Sequence, residues 1–335
     1  MDQDNGPAAG AVDEFSLIAD LFAPLTRGDP AARGLCDDAA FLPARPGWDT
    51  VLTVDAMVAG VHFLADDPPD LIARKLLRVN LSDLAAKGAA PVGALLAAAF
   101  PRDVTPDWLR AFAAGLGRDL AAFDLPLLGG DTVATPGPLT LSLTALGRVP
   151  AGQGLERRGA RPGDELWVSG SIGDGALGLR AARGQLPALA AADVAFLADR
   201  YRLPQPRVAL GPLLRGRAGA AMDISDGLVQ DLGHLCRVSG VGARVEAARV
   251  PLSPPARRAL AGGMVTLADL LCGGDDYELL FAAPAGAVAA LAAAGDPPLT
   301  RIGTIVAGAG VSVVDQQGVT LPLTRGGWRH FRAAP

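Results

Sequence analysis

Asp70-Leu71-Ile72-Ala73-Arg74-Lys75-Leu76-Leu77-Arg78-Val79-Asn80-Leu81-Ser82-Asp83-Leu84-Ala85-Ala86-Lys87-Gly88 carries the helical period of this chain most plainly. Ile72, Leu76, Val79 and Asp83 fall at i, i+4, i+7 and i+11, so they share one helical face. A carboxylate therefore stands in line with the apolar stripe that should meet a core. An isolated buried carboxylate is costly and is normally protonated, paired or bound to metal. The alternative is a pattern that ends before Asp83 and leaves it in a solvated last turn. The stretch alone favours the solvated end; acids elsewhere in the chain shift the balance.

At 335 residues the chain has room for two domains. Hydrophobic residues make up 50% and charged residues 19%, a soluble globular composition, and no run approaches the roughly 18 apolar residues of a spanning helix. The acidic, polar start, read as a flexible leader over residues 1–12, is unlike a signal peptide, so a cytoplasmic protein without membrane partners is expected. Cys36, Cys236 and Cys272 show no metal spacing and read as reduced thiols. A net charge of −5 with no lysine-rich tract gives no nucleic-acid footprint. Only Lys75 and Lys87 are lysines, and neither sits in a P-loop, so any phosphate handling must use metals, arginines or backbone amides.

Along the chain, helical spacing over Glu14–Leu25 stops at Pro24, and Ala39–Leu42 is a short strand candidate after Asp37-Asp38. Thr50–Asp55 reads as a strand ending in an acid, Val92–Phe100 as a buried strand and Thr105–Phe123 as an amphipathic helix. Leu125–Leu128 is a short strand ending in Gly129-Gly130-Asp131-Thr132, followed by a longer strand over Leu139–Val149. A domain boundary is placed near residue 155. Glu165–Ser169 and Gly242–Glu246 are strands, and Ala221–Gly227 opens a helix through about Val238. Ser-Asp followed by Gly-Gly-Asp occurs in both halves, which suggests two related α/β halves.

Aspartates beside glycines at strand ends or helix starts recur at Asp37/Asp38, Asp55, Asp83, Asp131, Asp223 and Asp226. Such hard oxygen donors suit Mg²⁺, which keeps waters and shares substrate phosphates. Each alone reads more simply as a turn or cap residue, above all Asp226, where Ser225 could cap a helix. Their number favours metal. Gly173-x-Gly175-x-x-Gly178 matches a dinucleotide fingerprint, but the acid expected about 20 residues on is missing, so the glycines read as a tight strand-to-helix turn. His234 and His330 read as structural or terminal; His62 is balanced between core and substrate contact.

Taken in order, several motifs resemble the thiamine-monophosphate kinases. They are Asp37-Asp38-Ala39, Asp55 with Val58–Phe63, Asn80–Ala86, Gly129–Thr132, Asp223–Leu228 and Gly273–Leu279. The resemblance runs from about Glu14 to Phe331 and is weak over residues 181–220 and 283–320. It implies an α/β (α+β), PurM-like two-domain fold. An AIR-synthase-like ATP/Mg domain would span residues 13–154, its mixed sheet forming a barrel in a homodimer, and an α+β domain residues 155–335. By position, Asp38, Thr53, Asp55, Asp83, Asp131, Asp223 and Asp226 would hold several Mg²⁺ ions. Gly130, Asp131, Arg157 and Ser225 would contact ATP, while His62, Asp275 and Trp328 would face thiamine monophosphate. An indole suits a cationic thiazolium.

The implied reaction is direct in-line transfer of the ATP γ-phosphoryl group to the substrate phosphate, giving thiamine diphosphate. That nucleophile is already anionic near neutral pH, so no dedicated base is needed. Cys36 stands for a usual Gly, Val54 and Ala56 for Thr, and Asp275 for a frequent Glu, with Val54 removing a candidate metal oxygen. The alternatives are another ATP-dependent enzyme of the superfamily, or a non-catalytic nucleotide or thiamine-phosphate binding protein.

Overall fold

A computed structural model of the chain describes residues 14–323 together with Gly327. The expected leader lies outside these residues. Helical turns at the start come as α1 (Glu14–Leu17), a π-helical turn Ile18–Phe22 and a 3₁₀ turn Ala23–Thr26. The expected single helix is thus broken into three, and it passes Pro24 because proline is tolerated in a first turn. Asp37 to Ala40 and onward to Leu42 is loop, not the expected strand; Phe41 N–H bonds Ala31 O instead of a neighbouring strand.

The chain divides into two compact units, and the division falls between Asn80 and Leu81 and again near residues 47–51, 90 and 147. In the first unit, β1 (Trp48–Val58), β2 (Ala90–Pro101), β3 (Leu127–Thr135) and β4 (Thr140–Pro150) form a sheet in the order β1-β4-β2-β3. β2 and β3 are parallel, with Ala97 opposite Asp131 and Ala98 opposite Thr132. β3 begins at Leu127 and runs through Gly129-Gly130-Asp131, so the acid lies within the strand and not beyond its end. Gly130 is needed for that pairing: a Cβ there would lie 2.0 Å from Leu96 O.

α2 (Pro69–Ala86) is buried on nearly every side, with only Leu71, Arg74 and Asp83 half-buried between residues 71 and 86. The single apolar stripe read from the sequence is therefore too narrow, and the reading that ends the pattern before Asp83 is wrong, since burial continues through Leu84, Ala85 and Ala86. α3 (Pro106–Ala122) is capped by Thr105 Oγ1, which accepts from Trp108 N–H at 3.2 Å. It packs so closely on α2 that a Cβ at Gly115 would sit 2.3 Å from Asp70 O. Between the helices, buried Asp119 accepts from Arg78 Nε (2.5 Å) and Nη2 (3.2 Å) and from Arg74 Nε (2.9 Å).

In the second unit, six strands take the order β10-β7-β9-β5-β8-β6: β5 (Glu165–Ser169), β6 (Ala220–Asp223), β7 (Gly242–Glu246), β8 (Leu279–Ala283), β9 (Leu299–Val306) and β10 (Gly310–Val314). β10 and β7 are parallel; the other pairs are antiparallel. Around them lie α4 (Asp174–Ala182), α5 (Ala191–Arg202), α6 (Leu210–Leu214) and α7 (Leu228–Ser239). β6 ends at Asp223 where the sequence reading had only a helix start; four residues, all buried, are too few to show a period. Ser225-Asp226 lies in the loop between β6 and α7, whereas Ser82-Asp83 is intrahelical. The two Ser-Asp pairs thus occupy different local structures, as do the two Gly-Gly-Asp runs, and these motifs mark no repeat.

Removing the Asp119 carboxylate leaves two arginines, one of them buried, without their shared partner. Asp119→Ala should lower unfolding free energy by about 3 kcal/mol in denaturant titration; a change within error would show that the two guanidinium groups find other acceptors.

Candidate functional site

In the first unit the loop carrying Asp37 and Asp38 and the strand carrying Gly130, Asp131 and Thr132 line one cavity of about 480 Å³, with Leu95 and Leu128 among its apolar walls. Asp38 and Asp131 are exposed there, and Asp38 N–H bonds Asp37 Oδ1 at 2.8 Å. Thr53 and Asp55 stand on β1, on the face opposite Val54, because successive strand residues alternate. Val54 is 60% exposed. Its side chain does not share a face with Asp55, so the change at 54 takes no side-chain oxygen from that face. Asp55 N–H bonds the Asn80 carboxamide oxygen at 3.1 Å, which ties β1 to α2 beside the acid. His62 closes the turn after β1: Nδ1 accepts from Val58 N–H at 3.0 Å, so the ring proton resides on Nε2, and Lys75 Nζ holds the His62 carbonyl.

In the second unit Asp223 is buried and accepts from Ser82 Oγ at 2.7 Å, one residue before half-buried Asp83. Lys87, which the sequence reading left without a role, is drawn in here. Its Nζ donates to Ala221 O at 3.2 Å. Burial lowers its pKa and Arg157 adds to this, while Asp223, Asp83 and Glu156 oppose it. The four-residue step from Asp83 to Lys87 is the helix spacing that favours an acid–base pair, and it was the available signal.

Ser225 and Asp226 are half-buried in the loop between β6 and α7, and the expected serine cap is absent. Gly227 takes the cap position at φ 116°, and Asp231 Oδ2, from inside α7, accepts the N–H groups of Ser225, Asp226 and Gly227 at 3.1, 3.0 and 3.1 Å. Burial pushes the Asp231 carboxyl up to about 7. Gln230 Nε2 donates to Asp226 Oδ2 at 3.1 Å, and a Cβ at Gly327 would meet Asp226 O at 2.4 Å. Trp328 and His330, beyond it, lie outside the described residues.

The Gly273–Glu278 loop lies along the same segment: Asp275 N–H bonds Ser225 O and Tyr277 N–H bonds Ile224 O, both at 2.8 Å. Asp275 and Tyr277 hold φ of 67° and 52°, a costly conformation for side-chain-bearing residues. Asp276, between them, is buried and accepts from Gly173 N–H (2.8 Å) and Gly175 N–H (3.0 Å). Glu278 accepts from Ser169 Oγ, Arg200 and Arg207 at 2.5–3.0 Å. The glycines of the apparent fingerprint are explained by packing: a Cβ at Gly175 would lie 2.2 Å from Asp275 O, and one at Gly178 2.2 Å from Leu197 O.

These donors suit Mg²⁺ and phosphates. They are carboxylates and hydroxyls, hard ligands, beside glycine backbone. Among the described residues no three His, Cys, Asp or Glu side chains converge as a ready coordination shell. An ion that retains waters and takes oxygens from its substrate fits such spaced walls better than a fully protein-built cage.

Burial raises the Asp276 carboxyl well above its ordinary value; Asp174 adds to this, and the two glycine N–H groups and Arg200 oppose it. The folded state therefore binds that proton more tightly than the unfolded chain. The stability it contributes is complete below the unfolded pKa of 3.8 and is lost as pH rises through the folded value. In Asp276→Asn, the fall of denaturation midpoint from about pH 4 to about pH 8 should be shallower than in the parent; equal slopes would remove Asp276 from the pH dependence.

Comparison with known proteins follows this geometry. Residues 36–149 match the N-terminal domain, and residues 161–316 the C-terminal domain, of the AIR synthase related proteins. A thiamine-monophosphate kinase from Caulobacter vibrioides is 50% identical over 97% of this chain and 92% of its own length. The crystal structure of a thiamine-monophosphate kinase from Stenotrophomonas maltophilia superposes with a TM-score of 0.81 at 43% identity, covering 92% of this chain and 98% of the other. AaThiL complexed with AMPPCP and TMP superposes with a TM-score of 0.77 at 28% identity, over 98% of this chain and all of that one. The chain belongs to the thiamine-monophosphate kinase family, built from AIR synthase related domains.

Proposed function

We propose that this chain catalyses ATP-dependent phosphorylation of thiamine monophosphate to thiamine diphosphate. The observation that carries the reading is the placement of Asp37, Asp38, Gly130 and Asp131 on one cavity, in a chain of this family. The relative AaThiL, complexed with AMPPCP and TMP, supports ATP and thiamine monophosphate as the two substrates.

Gly130 and Asp131 would meet the nucleotide in the 13–154 domain; Arg157 and Ser225, in the 155–335 domain, would bind its phosphates through a guanidinium and a hydroxyl. Asp231 keeps the Ser225–Gly227 backbone fixed, so those groups need little reorganisation. Asp38, Thr53, Asp55, Asp83, Asp131, Asp223 and Asp226 would hold Mg²⁺. When bound, Mg²⁺ supplies charge neutralisation and alignment of the phosphates. His62, Asp275 and Trp328 would hold thiamine monophosphate, with Nε2–H of His62 as a donor and the Asp275 carboxylate set by its strained backbone. No side chain need remove a proton, since the attacking phosphate oxygen is already anionic.

The homodimer is also part of this reading. One face of β1 exposes Leu52 and Val54 at 64% and 60%. Apolar strand residues open to water on one face are the composition of a surface that a second copy covers. No described helix is long and apolar enough to cross a membrane, and a cytoplasmic enzyme is consistent with that.

Purified protein supplied with ATP, Mg²⁺ and thiamine monophosphate should yield thiamine diphosphate and ADP, with no product after chelation by EDTA. Asp83→Asn should reduce turnover at least 100-fold while leaving the circular dichroism spectrum unchanged. Tight nucleotide binding without turnover in the parent would instead establish a binding protein. Val54→Glu should shift the sedimentation coefficient from dimer to monomer; a parent that already sediments as a monomer would reject the dimer.

A further inference from the structure

Lys87 follows α2 directly, and both its main chain and its side chain are held. Its N–H bonds Asp83 O, and its carbonyl accepts from Leu155 N–H, both at 3.1 Å. Its ammonium reaches β6, the edge strand of the second sheet. There Ala221 turns its main-chain groups outward: the N–H goes to Glu156 O at 2.7 Å, and the carbonyl receives Lys87 Nζ at 3.2 Å. Two residues further along the strand stands Asp223, bonded to Ser82 Oγ of α2. All of these residues belong to the second unit.

The bond to Ala221 needs a donor, not a charge. A neutral side chain could satisfy an edge carbonyl, and burial disfavours an ammonium. The bond also ends on a neutral carbonyl, so it claims no oxygen of Asp83 or Asp223. What lysine adds is a positive charge of fixed position. Asp223, Asp83 and Glu156 attract that charge, and exposed Arg157 repels it. Its effect has opposite signs on the two ligands that the kinase reading brings to these acids. Bare Mg²⁺ is repelled, whereas a magnesium nucleotide, negative overall through its phosphates, is attracted. The effect acts through space, is weakly screened at a half-buried group, and requires no contact with the ligand.

We propose that Lys87 is a positioning residue that sets the order of loading: its charge, anchored on Ala221 O, keeps free Mg²⁺ weak at Asp83 and Asp223 and favours metal that arrives with nucleotide phosphates. This rests on the kinase reading above, in which Asp83 and Asp223 hold Mg²⁺. Without the charge, the same acids take metal into the empty site more readily and draw the nucleotide less.

Calorimetry on the full chain measures the Kd for Mg²⁺ alone and for AMPPCP with Mg²⁺ in the parent, Lys87→Gln, Lys87→Met and Lys87→Arg. Glutamine keeps a donor for Ala221 O, methionine removes it, and arginine keeps the charge. Lys87→Gln and Lys87→Met should both bind free Mg²⁺ about fivefold more tightly and the magnesium nucleotide about fivefold more weakly. Lys87→Arg should stay within about twofold of the parent for both ligands. A lysine that serves only the fold gives another pattern: Lys87→Gln matches the parent, or both affinities fall together. Either result, in a parent that binds both ligands, removes the proposal alone. A parent that binds free Mg²⁺ but no AMPPCP defeats the kinase reading, and the proposal with it.

Discussion

A helix with almost no solvent-facing side must satisfy every polar group it carries from within the protein, and α2 is built under that constraint. Lys75 is met by the His62 carbonyl, Arg78 by Asp119, Asn80 by the Asp55 N–H and the Leu76 carbonyl, and Ser82 by Asp223. Burial without such partners would cost about 1–3 kcal/mol per group. Asn80-Leu81-Ser82-Asp83 is therefore first a packing solution. Asn80 fixes the strand beside Asp55 in one unit, and Ser82 fixes Asp223 in the other. The chemistry assigned to Asp83 depends on a helix whose neighbours on the sequence are already committed.

Acids in this chain divide by employment. Asp231, Asp276 and Glu278 are buried and spend their oxygens on backbone N–H groups or on serine and arginine side chains. Asp37, Asp38 and Asp131 stay exposed on a cavity wall. The first set shapes the loops; the second set is open to ligand. Asp275 belongs to neither group fully: its neighbour Asp276 is locked, and its own backbone takes up the strain.

Long periodic segments were legible in the sequence, and short ones less so. The 69–86 and 106–122 helices and the strands over 140–150, 165–169 and 242–246 follow from period and flanking residues. The four-residue β6 did not, because too few positions exist to distinguish strand from helix start. Gly129–Asp131 looked like a strand end since glycines usually stop strands; here Gly130 is what allows the strands to approach. At the site, the acids were found through their motifs, but their employment was not. Asp231 and Lys87 lack any local signature beyond spacing, because their roles come from groups far away in the chain or across a loop.

The buried Glu278 binds two arginines and a serine drawn from three other segments. Replacing Glu278 would leave two guanidinium groups and the Ser169 hydroxyl without their shared acceptor. A neutral residue at 278 would therefore need linked replacement of the arginines. The Gly273–Glu278 loop is thereby anchored at its C-terminal end, on the side away from Asp275.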